Sequence, residues 1–117
     1  MYEIEYYKEK ERFPVLEFMK QLSPKAMAKL LRNIDLLENN GFHLGFPFIS
    51  RITGTNELWE LRTTHAQNIN RVIFFHYRQG LFVLLHAFVK KTAKIPEREI
   101  EIALNRLSRY KERRKSE

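Results

Sequence analysis

The sequence predicts one α+β domain, with helices packed on a small, mainly antiparallel sheet in the order βααβββα. Three observations carry that reading. Apolar residues recur at helical spacing in three segments, and four others have strand character. The two most apolar runs, "NRVIFFHY" (70–77) and "LFVLLHAFV" (81–89), are separated only by "RQG", a tight hairpin connection. A chain of 117 residues, 44 % hydrophobic with nine Phe and five Tyr, suffices for one core and is too short for two.

The first element is "YEIEYY" (2–7), which alternates with Tyr2, Ile4 and Tyr6 on one face. Val15, Phe18, Met19 and Leu22 mark a short helix. Ser23-Pro24 then reads as an N-cap followed by Pro at the first helical position, opening a helix with the stripe Met27, Leu30, Leu31, Ile34 and Leu37. Gly41 is placed to close it. Residues 41–56, with two more Gly and a Pro, read as a loop. Strands follow over 57–63, 70–77 and 81–89, the last apolar enough for a central position. Ile100, Ala103, Leu104 and Leu107 face the core from a final helix, whose acidic start and basic finish match its dipole. The closing "KERRKSE" (111–117) reads as a frayed tail, and residues 1–117 as a single domain.

Composition narrows the function classes. With no Cys there are no disulfides or thiolate metal sites, which suits a reducing cytoplasm. No apolar run approaches the roughly 20 residues of a membrane span, and the charged N-terminus is wrong for a signal peptide. A net charge of +7 and a pI near 9.8 favour an anionic partner. The four His lack ligand spacing and a carboxylate cluster, so neither a metal nor another cofactor is expected. "GTNE" lacks the lysine and spacing of a phosphate-binding loop.

The cations of the sheet are more specific. A two-residue Gln79-Gly80 turn pairs Arg78 with Leu81, and therefore Arg71 with Phe88. Lys90 then shares a face with Arg71; a turn longer by one residue puts Lys91 there instead. Either register gathers Arg62, Arg71 and one lysine at one end of three neighbouring strands. Two readings stand side by side: solvated strand ends with Glu60 as partner, or a phosphate site, since guanidinium forks suit phosphate oxygens. His65, in the expected loop beside Arg62, is a candidate base. His86, within a strand, reads first as a hydrogen-bonded core residue, and Trp59 as core beside Leu61.

In order and spacing, "LWELRT", "RVIFF" and "LLHAFVKKTAKIPEREIEIA" resemble the phage-related HigB-like branch of the RelE/ParE toxin superfamily, over about Tyr2 to Leu107. The "FVKKT…P…EIE.A" ending is the most specific part. The resemblance implies a RelE-like fold and a type II toxin, a metal-independent ribosome-dependent mRNA endonuclease. It implies as partners the ribosome, mRNA and a HigA-like helix-turn-helix antitoxin, with operator DNA bound only through the antitoxin. Carried over residue by residue, it points to Arg62, Arg71, Lys90 and Lys91. With His65 these form the candidate catalytic set, and Lys94, Arg98 and Arg78 are expected to touch RNA or the ribosome. With no Asp after Asp35, a His–Asp catalytic pair is not supported. Two alternatives remain open from the residues alone. One is a ParE-like, non-nuclease poison of DNA gyrase, and the other a non-catalytic nucleic-acid-binding module.

Overall fold

A computed structural model of the chain describes residues 1–90 and 94–115. The elements in order are β1 (Glu3–Tyr6), α1 (Pro14–Lys20), α2 (Pro24–Asn40), β2 (Ile49–Arg51), β3 (Trp59–His65), β4 (Asn68–Arg78), β5 (Leu81–Lys90) and α3 (Glu97–Lys115). They form an α+β fold around one sheet of order β1-β5-β4-β3-β2, parallel between β1 and β5 and antiparallel elsewhere.

The expected elements are present, with two additions. The stretch 41–56 holds a 3-10 turn (Gly41–Leu44) and the short edge strand β2, which is too brief to show any periodicity. Ser23 caps α2 as its sequence suggests, accepting from the Ala26 N–H at 3.2 Å, and Gly41 ends the helix at φ +58°. Gly41 lies against the Tyr2 ring, so a Cβ there would overlap that ring as well as strain the backbone.

Because β5 is apolar on both faces, both faces must be covered. Helices α1 and α2 pack on one side over Val72, Phe74, Phe82 and Leu84, joined by Tyr2, Ile4, Tyr6 and Trp59. Helix α3 covers the other with Ala103, Leu107 and Tyr110 over Ile73, Phe75, Val83 and Phe88. Helix α3 extends to Lys115, into the stretch from residue 111 that the sequence reads as a tail. Its last turns are tied down by Lys111 to Glu57, Arg113 to the Lys8 carbonyl, and Arg114 to Glu5 at 2.8 Å.

The β4–β5 hairpin has two irregularities that cancel. Arg78 pairs with Leu81, but His76 pairs with Phe82, which leaves Tyr77 as an extra residue on β4. Phe74 pairs with Leu84 and Ile73 with His86, which leaves Leu85 extra on β5. The register is thereby restored, and Arg71 faces Phe88 as simple counting predicts.

Candidate functional site

Side chains alternate along a strand, so residues of one parity share a face. Ile73 and Phe88 pack under α3, which puts Glu60, Arg62, Arg71, His86 and Lys90 on that face as well. Arg62 and Arg71 are direct cross-strand partners, and Lys90, opposite Ile69, is the diagonal neighbour of Arg71.

These cations are not strand ends. β3 continues three residues beyond Arg62, and β4 begins three residues before Arg71. The supposed 63–70 connection is a regular hairpin turning on Ala66 and Gln67, with Ala66 at φ +55°. Arg71 is therefore buried, 1 % exposed, where the sequence suggested a solvated position, while the Arg62 side chain keeps 29 %. Glu60 joins them. Arg71 Nη1 donates to its two carboxylate oxygens at 3.0 and 3.2 Å, and Arg62 Nε lies 3.3 Å from Oε1. Burial pushes the Glu60 carboxyl up, against the opposing pull of the Arg71 and Arg62 guanidiniums.

Glu60 and Arg62 form part of the wall of an open cleft of about 480 Å³, between the sheet and the start of α3. Arg51, Thr53, Lys94 and Glu97 also line it. Arg51 comes from β2 and was not singled out by the sequence, since its stretch read as loop. Arg51 pairs with Trp59 and gives its guanidinium to the Asn56 carbonyl, so the cleft is suited to a phosphodiester whose oxygens engage Arg62 and Lys94.

The other candidates are dispersed. His65 lies not in a loop but at the end of β3, with the parity of Leu61 and Thr63, so it faces α2, away from Arg62. Its Nδ1 is buried with no hydrogen-bond partner among the described residues. Lys91 lies outside the described residues. Arg98 is exposed near Glu99, Nε to Oε2 3.6 Å. Arg78 sits at the far end of the hairpin, seven residues from Arg71 or roughly 23 Å of strand, beside Glu3 at 3.6 Å.

His86 is held between two α3 side chains: its Nε2 is 2.7 Å from Glu99 Oε1, and its Nδ1 is 3.2 Å from Arg106 Nη1. Since Arg106 can only donate, Nδ1 accepts and Nε2 carries the proton toward Glu99. Burial lowers its pKa and the Glu99 hydrogen bond only partly opposes this. This is a core histidine that anchors α3. Among the described residues no three His, Asp or Glu side chains come together as a metal site, and no helix is long and apolar enough to cross a membrane.

The family model described as Phage derived protein Gp49-like (DUF891) matches residues 17–108, from within α1 to within α3. The chain belongs to this family. Gp49-like proteins are associated with toxin–antitoxin toxins of the RelE/ParE type, so an antitoxin partner is implied in general terms. No curated protein matches the chain. In this Gp49-like protein the matched span includes every residue of the Glu60–Arg62–Arg71 cluster and all of the cleft's lining.

Proposed function

We propose that this Gp49-like protein is the toxin of a type II toxin–antitoxin pair and cleaves mRNA on the ribosome without a metal. The observation that carries the proposal is the pairing of Arg62 and Arg71 around Glu60 on the wall of a cationic, open cleft. In the reaction the 2′-oxygen of a bound nucleotide attacks the adjacent phosphorus. The bond to the 5′-oxygen breaks, leaving a 2′,3′-cyclic phosphate and a 5′-hydroxyl. Arg62, exposed enough to reach a phosphate, stabilises the charge that builds on the non-bridging oxygens, with Lys94 beside it; one such donor is worth about 10²–10³-fold.

Arg71 is too deep to touch RNA and acts as a positioning residue, fixing the Glu60 carboxylate. Glu60, whose burial raises its proton affinity, is the group suited to accept the 2′-hydroxyl proton. Lys90, on the same face, is the candidate donor to the leaving 5′-oxygen. His65 has no part in this scheme because it faces the opposite side of the sheet. Within this reading the partners are a HigA-like antitoxin, the ribosome and mRNA, with Arg98 a peripheral contact and Arg78 remote from the chemistry.

The test is sequencing of RNA 5′ ends after induction in cells, repeated in a purified translation system. Cuts in translated messages bearing 5′-hydroxyls are expected, and they should be lost in Glu60→Gln. Intact mRNA with early failure of replication and supercoiling would overturn the proposal in favour of a gyrase poison.

A further inference from the structure

The opposite side of β3 carries a second concave surface. Strand β2 stops short of its neighbour: the Phe48 carbonyl accepts from Arg62 N–H at 2.8 Å, and next in line stands Pro47, which has no N–H to offer. β3 continues to His65. In an antiparallel ladder alternate residues turn their peptide groups to the same neighbour. Those of 58, 60 and 62 point to β2, so the next outward group is that of exposed Thr64, beyond the end of β2. The Arg62 carbonyl is already capped, by Asn33 Nδ2 at 3.2 Å, and the same amide donates to Thr63 Oγ1 at 2.9 Å.

Between this edge and α2 runs a groove of about 460 Å³. Its α2 wall is the stripe Lys29, Arg32, Asn33 and Leu36, at the spacing of one helical face. Pro47 and Phe48 form the apolar side, Arg62, Thr63 and Thr64 the strand side, and no carboxylate is among the described lining residues. The adjoining Phe46 is 73 % exposed.

We propose that this groove docks an acidic, extended segment of a partner protein. The segment's backbone pairs with the Thr64 peptide group, one apolar side chain lies between Leu36 and Phe48, and its carboxylates sit by Lys29 and Arg32. Charge complementarity sets the sign of the occupant. The strand edge sets its class: a polypeptide offers alternating donors and acceptors at strand spacing, whereas RNA offers phosphates and bases but no such ladder. The inference uses none of the chemistry proposed for the cleft, although Arg62 lines both surfaces.

The test uses the full chain and a fluorescein-labelled synthetic peptide alternating glutamate and valine, read by fluorescence anisotropy. Two further probes are the same peptide N-methylated at alternate amides and a labelled oligo-uridine. The unmodified peptide should bind, and N-methylation should weaken it by about tenfold or more, since it removes the edge hydrogen bonds. The double variant Lys29→Ser/Arg32→Ser, altered only at exposed helix positions, should lose about three- to tenfold. Arg51→Ser in the cleft should leave peptide binding unchanged. No binding at millimolar peptide, equal binding of the N-methylated peptide, indifference to the double variant, or a groove that takes oligo-uridine in preference would each overturn the proposal.

Discussion

Arg62 and Arg71 face each other across one ladder and share one carboxylate, yet removing them should have different consequences. Arg71 is buried, and its loss leaves Glu60 in the interior with, among the described residues, the 3.3 Å contact to Arg62 as its remaining ion pair. Arg71→Ala should therefore cost about 3 kcal/mol, measured by urea denaturation. The pair Glu60→Leu/Arg71→Met should recover most of that loss while remaining inactive, which separates folding from function. Arg62→Ala should change the stability by less than about 1 kcal/mol but lower cleavage at saturating ribosome by about 10²–10³-fold. The membership of this cluster was legible from pairing arithmetic alone, because cross-strand partners follow from one turn. Its burial was not. Thr63, Thr64, His65 and Asn68 are polar enough to read as a connection, and Ala66-Gln67 lacks the glycine that marks a turn, so the strands seemed to end where they in fact continue. The same misreading placed His65 beside Arg62, when parity puts it on the other face.

At the scale of elements, the helices were the more legible because capping and spacing are local. Ser23→Ala should cost about 1 kcal/mol through the lost bond to Ala26, and Gly41→Ala more than that, since it combines left-handed backbone with overlap on Tyr2; thermal melts rank the two. Strand β2 was illegible because three residues hold no period, and the persistence of α3 to Lys115 because its anchors, Glu5, Lys8 and Glu57, lie far away in sequence. Helix α3 also carries a pH dependence. The His86 pKa is lowered below its ordinary value of 6.5 by burial, so just below pH 6.5 the unfolded chain binds more protons than the native one. Stability should decline as pH falls through 6.5 and level off once the native imidazole titrates. In His86→Gln that step should be absent from urea midpoints measured across this range.

The net charge of the whole molecule is +7, and two of its concave surfaces are lined by cations, Arg62 in both. The cleft mixes cations with Glu60 and Glu97, whereas the α2 groove has cations and no carboxylate among its described lining residues. Expression without an antitoxin should arrest growth with translation falling before replication, measured by pulse labelling of protein and DNA. Cleavage in a purified translating-ribosome assay should survive chelator levels that leave ribosomes intact, since the cluster supplies protons and cations itself. Rescue of a chelated reaction by one transition metal alone would refute that mechanism.

The paired irregularities of the β4–β5 hairpin bear on how such a chain can change length. The strand carrying Lys90 reads out its phase from the turn at Gly80, and Tyr77 and Leu85 are one advance on each side. Remove Leu85 alone and its bulge closes, with Leu84 still opposite Phe74 and His86 still opposite Ile73, so that Lys90 keeps its place. Remove Tyr77 alone and the mesh is kept in the same way, with Arg78 opposite Leu81 and His76 opposite Phe82. Among lineages of this hairpin, a deletion at either of these two positions should therefore be tolerated without its fellow, and the pairing of Arg62 with Arg71 kept.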